Sequence, residues 1–124
     1  MGMEQRIHSK QPITWPSLSA LFREKQFPVE MRMIDGQLAF PDEEPPETWQ
    51  ELRISTPPGM ITLKRDGDIL LTVIWGNADP EMLQAWNAVT WACAKVSDGE
   101  VETQDGNKSA SEYLQSAEFP DGFS

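Results

Sequence analysis

The sequence predicts an α+β domain in which an antiparallel meander sheet of four to five strands packs on one long helix, with short helices before and after. Three observations predict it. Two Asp-Gly pairs, at Asp35-Gly36 and Asp66-Gly67, are each flanked by strand-like segments, where a two-residue hairpin turn needs positive φ. Ile69–Trp75 is apolar at nearly every position, the pattern of a strand in the middle of a sheet. Past it, Asp79-Pro80-Glu81 joins a capping carboxylate, a proline in the first turn and an acid beside the positive helix end. An apolar stripe at helical spacing follows.

Taken in order, residues 1–12 carry no apolar periodicity and read as a frayed arm. Residues 14–25 form a short helix capped by Thr14 or Ser17, with Pro16 in the first turn, Leu18, Leu21 and Phe22 on one face, and Pro28 beyond its end. Residues 29–34 alternate Val29, Met31 and Met33 with Glu30 and Arg32 as a strand does, and 37–40 return as the hairpin partner. The run Pro-Asp-Glu-Glu-Pro-Pro-Glu at 41–47 can neither keep a ladder nor bury itself, so it is an exposed acidic loop. Residues 48–56 mix a capping-box pattern with the alternation of Leu52 and Ile54 against Arg53 and Ser55; Pro57 and Pro58 would stop a helix after barely two turns, which favours a strand.

Residues 60–65 pair with Ile69–Trp75, and the apolar residues on both faces of the latter predict cover on each side. Along the long helix Met82, Trp86, Val89, Cys93 and Val96 recur at intervals of four and three, and Gly99 ends it. Residues 100–103 make a short strand around Val101, Asp105-Gly106 turns the chain, and Ser109-Ala110-Ser111-Glu112 is a capping box opening a brief helix. Residues 119–124 read as a tail. With 39% apolar residues, five Trp, five Phe and six Met in 124 residues, the chain has side chains for one core, so residues 1–124 are read as a single domain.

Ten Lys plus Arg against twenty Asp plus Glu leave a net charge of −10, which argues against binding nucleic acid or an anionic membrane surface. No apolar run approaches the roughly 20 residues that span a bilayer, and Arg6 stands where a myristoylation signal has Ser or Thr. The one cysteine, Cys93, makes no internal disulfide, which fits a reducing compartment; the expected location is cytoplasmic. Charge is unevenly placed, with five cations against three carboxylates in residues 1–34 and five against seventeen in the rest.

No motif names a reaction. His8 is the only histidine, so a triad with a spare base or a multi-histidine zinc site has no residues to build it. Cys93 lies on the apolar stripe, where cysteine behaves as a small hydrophobe. Asp66 and Asp68 are explained as turn residues, and the isolated glycines open no phosphate-binding pattern, so no catalytic residue, metal or cofactor is assigned. The candidates are partner-binding ones. Asp42, Glu43, Glu44 and Glu47 place four carboxylates in six residues, a group that can meet a cationic partner. Trp91 follows Trp86 by five positions, about 140° round the helix, so it either packs against a second layer or anchors an interface. The expected function is a non-catalytic protein-binding module, an inhibitor or immunity-type protein for a basic partner. Its alternatives are a small carboxylate-based enzyme and a structural subunit of a homo-oligomer. The helical spacing places Trp86 in the core, so Trp86→Ala should cost about 3 to 5 kcal/mol in a denaturant titration, and a loss under about 1 kcal/mol would mean that the stripe points elsewhere.

Overall fold

The computed structural model describes residues 2–76 and 78–123. In chain order its elements are β1 (Gly2–His8), α1 (Trp15–Glu24), β2 (Glu30–Ile34), β3 (Gln37–Leu38), β4 (Glu51–Ser55), β5 (Met60–Asp66), β6 (Ile69–Trp75), α2 (Pro80–Ser97), β7 (Glu100–Thr103), β8 (Gly106–Ser109) and α3 (Ala110–Ser116). The strands form one antiparallel sheet in the order β3-β2-β4-β5-β6-β1-β7-β8. The α+β class and the β4-β5-β6 meander follow the sequence pattern, but the sheet has eight strands rather than four or five.

The hairpins form where the turn chemistry puts them. Asp35 and Gly36 both take positive φ, 49° and 85°, and join β2 to β3. The Asp35 side chain also accepts the backbone N–H groups of Gln50 and Glu51, both at 2.8 Å, which pins this turn to the start of β4. Helix α1 is capped by Thr14 and α2 by Asp79, whose Oδ1 accepts from Met82 N at 2.9 Å with Pro80 in the first turn. At α3 the predicted capping box is complete: Ser109 Oγ accepts from Glu112 N, and Glu112 Oε1 accepts from Ser109 N at 2.9 Å. Those bonds hold the Glu112 carboxyl below its ordinary range.

Of the frayed arm expected at 1–12, Met1 lies outside the described residues and Gly2–His8 is instead a strand near the middle of the sheet. β1 lies between β6 and β7, with Ile7 opposite both Leu70 and Val101. Residues just past it close the carboxyl end of α2: Lys10 N and Gln11 N donate to Ser97 O, and Gln11 Nε2 donates to Val96 O. These are carbonyls that a helix cannot satisfy by itself. Helix α2 ends just before Gly99, as expected, but the glycine is not the residue that takes the left-handed position. Asp98 takes the left-handed position at φ 50°, while a Cβ on Gly99 would stand 2.4 Å from His8 O. The glycine is there because β1 passes too close for a side chain.

All three helices belong to one face. Ile7, Leu70, Ile74, Leu63, Ile61, Leu52, Ile54 and Met31 point from the sheet into the core shared with α1 and α2. Helix α2 packs on that face and is covered in turn by α1 and α3, which is why it is buried continuously from Ala88 to Ala94. Trp86 faces the sheet, its indole N–H donating to Thr72 O and Oγ1 at 3.1 Å, and Thr72 Oγ1 meets Thr90 Oγ1 at 2.8 Å. The tail expected at 119–124 is also corrected over 119–123, since Phe123 is buried, edge-on to Trp91 at 5.3 Å and to Phe27 at 5.8 Å; Ser124 lies outside the described residues.

Among the described residues the opposite face of the sheet carries no helix. Cover on both sides of β6 was expected; the structure gives it on one, with Ile69 and Leu71 half-buried and Trp75 exposed. Among the buried apolar residues Val73 alone stands outside the core cluster, because it points to this second face. The placement of β1 makes a direct test. Gly99→Ala should destabilise the protein by about 1 to 3 kcal/mol through its clash with the His8 carbonyl. Amides of residues 5–8 should exchange with solvent as slowly as those of β6, and rapid exchange there together with a neutral Gly99→Ala would contradict the central position.

Candidate functional site

Asp42, Glu43, Glu44 and Glu47 lie, as expected, on an exposed loop, the one joining β3 to β4. Its two ends are held. Glu43 Oε1 accepts from Phe40 N at 3.1 Å while Glu43 N donates to Phe40 O, which closes a turn at one end. At the other, Arg65 Nη1 donates to Glu47 O and Trp49 O, both at 2.8 Å, and its Nη2 donates to Ile13 O. The guanidinium lies 3.8 Å over the Trp49 ring. Burial lowers the Arg65 pKa from its usual value, and the charge of Asp35 works against that shift. Three carbonyls and one ring already take up this arginine. It borders a recess of about 670 Å³ between residues 9–14 and the β5–β6 turn, and there it acts as a clamp on the backbone. None of the four loop carboxylates forms an ion pair among the described residues.

Trp91 does not join them. It is buried among Phe123 and the ammonium of Lys25, whose Nζ lies 5.2 Å from its ring centroid. Its role as a partner-binding anchor is therefore corrected to packing of α2 against α1 and the segment 117–123. Cys93 is wholly buried, which pushes its thiol pKa up and away from the reactive thiolate. His8 stands on β1, its Nε2 3.3 Å from Glu102 Oε2 on β7. Asp68 serves the backbone, its carbonyl accepting from Ser9 N. Among the described residues no group of three or more His, Cys, Asp or Glu is placed to hold a metal ion, and no helix is long and apolar enough to cross a membrane.

The residues that sequence reasoning missed are on the helix-free face. Antiparallel register puts directly paired residues on one side, so Arg53, Thr62 and Val73 share this face, with Glu51 and Lys64 one pair along. All four ion pairs of the described residues lie here: Arg6–Glu4, Arg32–Glu30, Lys64–Glu51 and His8–Glu102. Within this lattice of charges Met60 and Trp75 remain exposed. The signal was in the alternation of β4 and β5, where Arg53, Ser55, Thr62 and Lys64 mark a wet face that β6 has to share.

No family model, curated protein or solved structure matches this chain.

A partly buried polar cluster joins β1, α2 and α3. The Tyr113 hydroxyl lies 2.7 Å from Gln5 Oε1 and 2.8 Å from Asn87 Oδ1, Gln5 Nε2 donates to Asn87 Oδ1, and Asn87 Nδ2 donates to Glu118 O at 2.9 Å. Burial pushes the Tyr113 pKa up to about 12, partly opposed by its bond to Gln5. Because the folded value stands above the unfolded one near 10, the contribution is whole below about pH 10 and is lost as pH rises through about 12. The loss should be about 2 to 3 kcal/mol across that window. Tyr113 is the chain's single tyrosine, so absorbance titration reads it directly. Tyr113→Phe should remove this part of the alkaline slope, and an ordinary tyrosine titration in the folded protein would contradict the buried network.

Proposed function

We propose that the chain is a non-catalytic, cytoplasmic protein-binding module, an inhibitor or immunity-type protein whose acidic surface meets a basic partner. The observation that carries this reading is the β3–β4 loop, where Asp42, Glu43, Glu44 and Glu47 stand exposed and free of ion pairs among the described residues. Their charge adds to a net −10 and acts on whatever approaches. A field of one sign speeds encounter with a basic partner and disfavours acidic ones. The bonds from Phe40 N to Glu43 and from Arg65 to Glu47 fix the loop backbone at both ends, so less order is lost when a partner docks. Glu47 borders the recess beside Arg65, but Asp42, Glu43 and Glu44 line none of the recesses described above, which favours recognition over acid–base chemistry. A second reading, self-association, is favoured by edge strand β3 with its exposed Leu38 and the exposed Phe40 just past it, which an added strand could cover.

A pull-down from the source cell identifies the partner, and stopped-flow mixing then tests the mechanism. With Asp42→Asn, Glu43→Gln, Glu44→Gln and Glu47→Gln combined, association should slow about tenfold while dissociation and stability hardly change. Association of the unmodified protein should also fall steeply between low salt and about 0.5 M, where the Debye length is about 4 Å. Equal rates in both series would remove the acidic-loop reading; concentration-dependent dimerisation lost in Leu38→Glu, with no basic partner captured, would replace it by self-association.

A further inference from the structure

The helix-free face contains a recess that the acidic loop does not use. It opens where the β4–β5 turn meets the start of α2 and encloses about 400 Å³, within the size range of small-ligand sites. Thr62 and Met60 line it from β5, Arg53 from β4 on one side and Trp75 from β6 on the other, with Gly59 and Met82 completing the lining. Thr62 and its neighbour Val73 are only 3% and 7% exposed although no helix covers this face, so the floor is sunk between taller side chains.

Two features point to a ligand, and they differ in kind. The first is electrostatic. On this face Arg6, Arg32 and Lys64 each have a carboxylate, whereas Arg53 has neither an ion pair nor a side-chain hydrogen bond among the described residues. Arg53 as a residue is half-buried, and its planar fork of donors matches a carboxylate in two-point contact. The second is apolar. Trp75 is 61% exposed while the other four tryptophans are at 8% or less. Its indole rests on Gly2, where an added Cβ would stand 2.7 Å from Trp75 Cζ3, so the backbone of β1 supports one part of the ring while the rest borders the recess. Indole and arginine are among the groups that dominate binding hot spots, and the indole and the Met60 thioether are the apolar surface that is costly to leave in water. The protein's net charge of −10 narrows the choice further, because a dianion such as phosphate is repelled more strongly than a monoanion.

We propose that this recess binds a monoanionic carboxylate carried on a flat apolar group, the carboxylate on the Arg53 guanidinium and the apolar body against Trp75 and Met60. Two sources supply that chemistry: a free aromatic acid, or the terminal carboxylate of a peptide ending in an aromatic residue.

The probes are 3-phenylpropionate and a short acetylated peptide with a free carboxyl-terminal phenylalanine, each beside its neutral amide, and the readout is the Trp75 indole resonance in a ¹H–¹⁵N correlation spectrum. At least one acid should shift that resonance saturably with a Kd of about 1 mM or tighter, as expected for a ligand of this size. Its amide should bind at least tenfold more weakly. Arg53→Gln should weaken the acid about tenfold or more and leave the amide unchanged, Arg53→Lys should recover part of the loss, and Trp75→Ala, followed at the Thr62 backbone amide because this variant has no indole at position 75, should abolish binding of both forms. Unchanged core resonances in each variant show that the fold is kept. Binding by 3-phenylpropionate alone assigns the site to a free acid, and binding by the peptide alone assigns it to a chain end. Saturation by neither acid at about 10 mM, or equal affinity of acid and amide, overturns the proposal. The acidic loop takes no part in these measurements, so either idea can fail without the other.

Discussion

The close pass of β1 against the end of α2 is the constraint on which the rest of the architecture depends. His8 O lies where a Cβ of residue 99 would be, and the next residues donate to Ser97 O and Val96 O. A helix end buried in a small protein needs such donors, because unsatisfied carbonyls cost more than the packing around them returns. One segment therefore fills the gap between β6 and β7 and closes the longest helix. Without it the β4-β5-β6 meander and the β7–β8 hairpin have no shared edge, since β1 is the only strand that touches both β6 and β7.

What the sequence made legible is what local chemistry decides. The turn at Asp35-Gly36, the caps at Thr14, Asp79 and Ser109, and the stripe carrying Trp86 are each stated by residues within one or two turns of one another, and each forms. β1 was illegible because its core-facing positions are Met3, Gln5 and Ile7, and only Ile7 is fully buried. Gln5 takes the place of an apolar residue by joining the polar cluster of Tyr113 and Asn87, whose members are distant in sequence. A strand whose inward residue is satisfied by groups more than eighty positions away shows no alternation to read. The edge strand β8, Gly-Asn-Lys-Ser, is polar for the ordinary reason that one of its sides is unpaired.

The candidate sites divide along the same line. The acidic loop was legible from composition, since four carboxylates between prolines have nowhere to go but outward. The fate of Trp91 depended on whether residues 119–123 return to cover it, and nothing local to α2 encodes that return. The charged face depended on something subtler: Ile69–Trp75 is apolar on both sides, which normally signals two covering layers. Here the second side of β6 is screened instead by long side chains from neighbouring strands. Arg6, Lys64 and their carboxylate partners flank it, and Val73 is buried beneath them without a helix above.

Both candidate surfaces hang on β4. Just before it Trp49 O accepts from the Arg65 clamp, and the N–H groups of Gln50 and Glu51 donate to Asp35, which holds the end of the acidic loop; two positions past Glu51, Arg53 borders the recess beside Trp75. Leu52 and Ile54, wholly buried on the helix side, fix the strand between them. A strand locked from one side by core packing and from its start by hydrogen bonds keeps its outward groups in place without help from a partner. Such preorganisation lowers the order lost on binding, and it belongs to residues that touch no ligand. For this reason substitutions at Leu52 or Ile54 would disturb loop and recess together, whereas Arg53 and the loop carboxylates can be changed one at a time with the frame intact.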